Sequence, residues 1–377
     1  MKVQRYIMNN LVFNSLYVCI IILIQPVYGV EKPAITNENK NHAKTSTNRI
    51  SLAGYPVVLY TLETSLIFGG GGAMTIRDQN SHESARPDNI NFYAIYTLKN
   101  QVAVLFNPDF YFEEDKWQLK IMSGYQKFPD LFYGIGNKTA SDDAEDITTE
   151  DVIIRTGLTR RIYKNLRLGV MYHFNHTSVQ HVEPDGQIKS GMLTGSQGSL
   201  LSGLGPIIDW DSRDNIFYPS KGYWFQFYAT VYRDWLDSEF AFESYTFDFR
   251  HFLEIELRQI LALQLVIKSM KGTIPFNQLA RLDMLRGIHA SRFRDHNLAV
   301  AQVEYRFPVY KRFSGVLFTG IGDVIHRFGD FRLNDSKFSI GAGLRFAVLP
   351  DDKINLRFDI GFSRFGINPY FQLSEAF

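Results

Sequence analysis

Ile354-Asn355-Leu356-Arg357-Phe358-Asp359-Ile360-Gly361-Phe362 (INLRFDIGF) alternates an apolar residue with a polar or small one along its whole length. Successive side chains of an extended strand point to opposite faces, so Ile354, Leu356, Phe358, Ile360 and Phe362 share one face while Asn355, Arg357, Asp359 and Gly361 share the other. KFSIGAGLRF repeats the pattern, with Phe338, Ile340, Ala342, Leu344 and Phe346 opposite Lys337, Ser339 and Arg345. A half-buried strand of a water-soluble sheet alternates in the same way. The pattern therefore defines strands without saying what surrounds them.

Composition and export signals bear on the surroundings. The 377 residues carry 40 Lys+Arg against 39 Asp+Glu, so no charge field points to nucleic acid as a partner. Aromatic residues make up 15%, including 31 Phe and 20 Tyr, a content suited to a surface in contact with lipid. The start MKVQRYIMNN is basic, LVFNSLYVCIIILI is apolar, and Val27-Tyr28-Gly29 offers small-residue cleavage, so residues 1–29 read as a signal peptide. The single cysteine, Cys19, lies inside it, and bulky Val18 before it weakens a lipoprotein reading. No disulfide framework is expected in the mature chain. Residues 30–52, largely EKPAITNENKNHAKTSTNRI, are polar and aperiodic and read as a flexible periplasmic leader. Beyond the signal no run of roughly 18 apolar residues occurs, so an exported chain that spans a membrane has to do so as a closed barrel.

Connection lengths agree. Short turns (Tyr163-Lys164-Asn165, Pro350-Asp351-Asp352) alternate with long polar stretches near 127–149, 179–199, 273–296 and 323–335, as in barrels with short periplasmic turns and long external loops. Eleven candidate strands precede LRGIHASRFRD (Leu285 to Asp295) and five follow it, near 297–307, 314–323, 337–347, 354–362 and 369–377. The first is expected to be short, near Gly54 to Thr61. The expected fold over 53–377 is all-β: a transmembrane antiparallel β-barrel of about 16 strands, greasy outside and wet within, with both ends on the periplasmic side.

Three stretches, DSRDNIFYPSKG (Asp211 to Gly222), the LRGI loop and the ending YFQLSEAF, together resemble the BamA/TamA family of outer-membrane assembly proteins, also called bacterial surface antigens. FPDLFYGIGN (Phe128 to Asn137) is similar to the branch that carries a barrel alone. The resemblance implies that Arg286-Gly287 folds into the lumen and that the guanidinium meets acidic groups on facing strands. Glu304 on AVAQVEYRF, which shares a polar face with Gln302 and Arg306, matches the family's acidic position. Asp359 is a further candidate partner, because a planar guanidinium fork suits carboxylates. Two departures stand out. Ile288 replaces the usual aromatic after the glycine, and on VLFTGIGD, which keeps Phe318 and Gly322, the family's acid falls at Gly320 with Asp323 only a neighbour. The alternative for the loop is a solvated external segment.

The resemblance also implies that Phe377 is read as a sorting signal, with Phe371, Leu373 and Phe377 on one lipid-facing stripe of the last strand; an ordinary girdle aromatic is the plainer reading. Assembly in this family is attributed to a weak seam between first and last strands. Pro56, which cannot donate to a ladder, together with Gly69, Gly70, Gly71, Gly72, Gly361 and Gly366, marks that seam here, although glycines also simply permit curvature. Family members that receive clients usually carry periplasmic POTRA domains, for which the leader is too short, so client capture would need an accessory periplasmic subunit.

Other signals carry less. His173 and His176 fall on opposite strand faces, and the acidic run Ser141 to Asp151 reads as a solvated loop before it reads as a calcium or lipopolysaccharide contact. DSRDNIFYPSKG reads as a structural turn. No cofactor, metal or covalent chemistry is expected; GGGG at Gly69 lacks the residues of a phosphate loop, and no serine–histidine pair points to a lipase. The expected role is assembly, insertion or translocation of outer-membrane proteins or lipids through a gated seam, with lipids, lipopolysaccharide and a client protein as partners. The alternative is a passive pore or structural surface barrel.

Overall fold

The computed structural model describes residues 48–61, 65–78, 86–98, 100–350, 353–373 and 375–377. The expected signal segment and most of the leader lie outside the described residues. Sixteen strands form one antiparallel sheet in chain order, and two further two-residue strands sit inside the LRGI loop. Eleven strands, from β1 (Asn48–Thr61) to β11 (Gln259–Gly272), precede that loop. After it come β14 (Asn297–Tyr310), β15 (Phe313–Ile325), β16 (Lys337–Leu349), β17 (Ile354–Ser363) and β18 (Gly366–Leu373). The short pieces β12 (Ala280–Arg281) and β13 (Arg294–Asp295) pair with each other. No helix among the described residues is long and apolar enough to cross a membrane.

The alternation read from sequence is inverted relative to a water-soluble sheet. On β16, Phe338, Ile340 and Leu344 are 57%, 54% and 52% exposed, whereas Lys337, Ser339 and Arg345 are 1%, 1% and 0% exposed. On β14, Ala301 and Val303 face out while Gln302, Glu304 and Arg306 are buried. Polar side chains turned inward and apolar ones turned outward describe a barrel whose outer solvent is hydrocarbon.

Several expectations need correction. The first strand is not short: β1 runs 14 residues and starts at Asn48, inside the stretch assigned to the leader. Alternation in RISLAGY is weak, so pairing to β2 (Ser65–Asp78) extends it where composition suggested coil. The first long loop narrows to residues 133–144, because β5 (Trp117–Phe132) and β6 (Glu145–Tyr163) continue their ladder beyond the expected boundary. The last strand begins at Gly366 and ends at Leu373, so Phe377 lies past it.

The interior is not uniformly wet. Leu279, Leu282, Leu285, Ile288 and Phe293 of the loop pack with Val300 and Val324 of the wall into one apolar cluster. Each such side chain contributes on the order of 1.5–3 kcal/mol relative to exposure. A loop that carries its own apolar underside holds itself in the lumen.

Candidate functional site

The LRGI loop enters the barrel after Gly272 and leaves at Asn297, joining β11 to β14. At its inner tip the backbone lies directly on β17. Gly287 adopts φ +106°, and a Cβ there would sit 2.8 Å from the Phe362 nitrogen. A Cβ on Gly361 would sit 2.5 Å from both the Arg286 carbonyl carbon and the Gly287 nitrogen. Two backbones meet only because both positions lack a side chain. The contact is fastened on each side: the Ser363 hydroxyl donates to the Gly287 oxygen at 2.6 Å, and the Gly287 N–H donates to the Tyr370 hydroxyl at 2.9 Å.

This placement directs Arg286, 6% exposed, between two carboxylates that are 0% exposed. Its Nη1 donates to Asp359 Oδ2 at 2.6 Å, and its Nη2 lies 2.8 Å from Glu304 Oε2. The second approach is ionic without hydrogen-bond alignment, since neither atom has a hydrogen-bond partner. The fork is thus split between β17 and β14 rather than closed on one carboxylate. Phe318 of β15 lies under the guanidinium, 3.6 Å from ring centroid to Cζ. Phe318 supplies the aromatic contact that Ile288 does not make, while Ile288 joins the loop's apolar cluster.

The structure brings Arg286, Gly287, Glu304 and Asp359 together and adds three polar-face arginines not expected as partners. Arg306 Nε donates to Glu304 Oε1 at 2.8 Å, and Arg345 donates to Asp359 and, at 2.7 Å, to Glu375. Arg357 lies 3.7 Å from Asp359. Arg345 and Arg357 are directly opposed on β16 and β17, so two like charges share one rung and both turn to the same aspartate. Their signal was present, since each is a cation on the polar face of an alternating strand. What sequence could not supply was the cross-strand register.

The missing family acid also has an account. A Cβ on Gly320 would lie 2.6 Å from Leu285 Cδ2, so the space beside that position holds the loop's leucine. Asp323 does not join the latch; Lys337 and Asn137 donate to it at 2.8 and 3.0 Å.

The other arginines of the loop reach elsewhere. Arg292 donates to the Thr139 hydroxyl at 2.6 Å and lies over Tyr133. The Arg294 carbonyl accepts from Gly136 at 2.8 Å, and its guanidinium lies over Phe132. FPDLFYGIGN is therefore the outer clamp on the lumen loop. At the end with short turns, DSRDNIFYPSKG does more than reverse the chain. Phe217 packs with Ala73 of β2 and Ile354 of β17, Tyr218 lies over Arg306, and Asp211 is held by Arg213 and Arg86. Burial alone would raise the Asp214 carboxyl, but hydrogen bonds from Ser220 and Lys221 hold it below the usual carboxylate range.

Phe377 is corrected in direction. It is 4% exposed, clusters with Phe252 and Ala262, and its main-chain oxygen accepts from Arg306 Nη2 at 3.0 Å. Ala262 is opposite inward-facing Glu304, so Phe377 turns inward rather than ending a lipid-facing stripe. β18 pairs Phe371 with Phe358 and Leu373 with Leu356. The facing expected for those two side chains lies outside the described ones.

The seam residues separate. Pro56 is on the sheet's edge strand β1, but Gly69, Gly70, Gly71 and Gly72 lie one strand inward on β2. They are paired to β1 on one side and to β3 (Asp88–Thr97) on the other. Gly361 serves the loop contact, and Gly366 opens β18 at φ +144°. The sheet's edges are β1 and β18, no ladder joins them among the described residues, and β18 approaches β2. Among the set-aside signals, His173 is buried against the Tyr232 hydroxyl at 2.6 Å while His176 is exposed on the other face. Glu145 of the acidic run accepts from the Gln187 backbone.

Comparison with known proteins places this geometry. The profile of the Omp85 superfamily domain matches residues 68–365. The chain belongs to the Omp85 superfamily, and its barrel is an outer-membrane one. The fold is similar to that of BamA from Haemophilus ducreyi lacking POTRA domains 1–3, with TM-score 0.56 and 12% identity over 87% of this chain and 70% of that one. It is also similar to CdiB from Acinetobacter baumannii, with TM-score 0.51 and 10% identity over 86% of this chain. The chain spans 59% of that CdiB chain. No curated protein sequence matches it.

Proposed function

We propose that this barrel inserts or translocates proteins or lipids at the outer membrane without covalent chemistry, by opening between β1 and β18 while the Arg286 latch holds the lumen loop. The observation that carries this reading is the pair of sheet edges left without a ladder, next to a loop fastened to β17 and β18. Every other pair of neighbouring strands is joined by a ladder, so the edge is where least structure has to break. The outward apolar residues of β14 and β16 support lipid and lipopolysaccharide as immediate neighbours. A client protein, delivered with an accessory periplasmic subunit, fits the superfamily. The loop filling the lumen opposes a passive pore.

A cysteine on β1 and another on β18, introduced into the otherwise cysteine-free region after Cys19, test the reading. Oxidative locking is expected to lower the outer-membrane protein or lipopolysaccharide content of cells that depend on this barrel, with recovery on reduction. Undiminished activity in the locked form excludes lateral opening.

A further inference from the structure

His296 and His326 stand 30 residues apart in the chain. Folding brings them together at the outer end of the β14–β15 hairpin, with Asp295 beside them. His296 Nδ1 and His326 Nδ1 are 3.1 Å apart, and Asp295 Oδ1 lies 3.0 Å from the first and 3.5 Å from the second. We propose that Asp295, His296 and His326 form a site for a divalent transition ion of the zinc class, which staples the exit of the lumen loop to the far end of the hairpin.

The spacing carries the argument. Ligands at about 2.0–2.1 Å from a tetrahedral zinc lie about 3.3–3.4 Å from one another. The three observed separations bracket that value, and these three side chains form a potential metal-holding group among the described residues. A set of two imidazoles and one carboxylate suits zinc, nickel or copper better than calcium or magnesium, which prefer oxygen. Without a cation, two imidazole nitrogens and a carboxylate oxygen converge with few protons to share, because each neutral ring carries only one N–H.

The scaffold is already fixed. The His296 carbonyl accepts from Met270 at 3.0 Å, and Asn297 Nδ2 donates to the carbonyls of Ile325 and His326 at 3.2 and 2.7 Å. Asp295 is held through its backbone pairing with Ala280. His326 is 58% exposed, which leaves the fourth position open to water or to a group presented from outside. The site closes the loop where it leaves the lumen, so its occupancy adds to the hold of Arg292 on Thr139 without depending on seam opening.

The test uses the full chain, tag-free and folded in detergent, stripped with chelator and titrated with zinc by calorimetry. One equivalent is expected to bind and to protect the 273–296 loop from protease. His326→Ala, at an exposed position that should not disturb folding, is expected to weaken zinc by tenfold or more and to remove the protection. His296→Ala should do the same, with heat-modifiable migration reporting that both variants fold. Zinc uptake of equal affinity in folded His326→Ala, or no uptake by the parent chain, overturns the proposal.

Discussion

Arg286 is the side chain on which the lumen arrangement turns. It is the only loop cation that meets both Glu304 and Asp359, yet each carboxylate keeps a second partner, Arg306 for Glu304 and Arg345 for Asp359. Arg286→Ala is therefore expected to cost about 3 kcal/mol, the lower end of the range for breaking a buried ion pair. The loss should appear as earlier heat-induced unfolding on gels and as protease cleavage within 273–296. Arg286→Lys keeps the charge but not the planar fork, so one carboxylate goes unmet and an intermediate loss is expected in the same assay. Glu304→Ala should be the most damaging of the three, because three guanidinium groups converge on that one carboxylate. Parent-like loop protection in Arg286→Ala would show that the apolar cluster alone holds the loop.

The decisive element is the last hairpin, β17 with β18. It supplies Asp359, Gly361, Ser363 and Tyr370 to the loop, and β18 is also one edge of the sheet. Loop docking and edge geometry are thus properties of the same few residues. Gly361→Val tests this without touching a charge, since its first side-chain carbon would lie 2.5 Å from the Arg286 backbone. Expelling the Arg286–Gly287 backbone from β17 is expected to mimic Arg286→Ala in loop proteolysis, with the barrel still migrating as a folded species. If Gly361→Val leaves the loop as protected as in the parent chain, the backbone contact is not what seats the latch.

For the molecule as a whole, the two ends of the lumen are occupied by different segments. The loop and FPDLFYGIGN fill the end with long loops, and Phe217 and Tyr218 of DSRDNIFYPSKG reach into the end with short turns. In planar bilayers the parent chain is expected to show rare, large, flickering openings, whereas Arg286→Ala should open more often. A steady open channel from the parent chain would mean that neither segment blocks the lumen and would favour the passive pore.

INLRFDIGF and KFSIGAGLRF made the barrel legible in one dimension, because a period of two has the same meaning in any sheet. The eleven-plus-five division of strands follows from turn residues that break that period. Glu304 with Arg306, and Arg357 with Asp359, were legible as polar faces of strands. Which face met lipid was decided by the curl of sixteen strands around a loop that fills their inner side, since alternation is symmetric between inside and outside. Tertiary structure alone set Arg345 opposite Arg357, turned Phe377 inward, put Leu285 beside Gly320 and joined His296 to His326. Each of those contacts depends on strand register or on a loop crossing the lumen, and distances between residues far apart in the chain are not encoded in local periodicity.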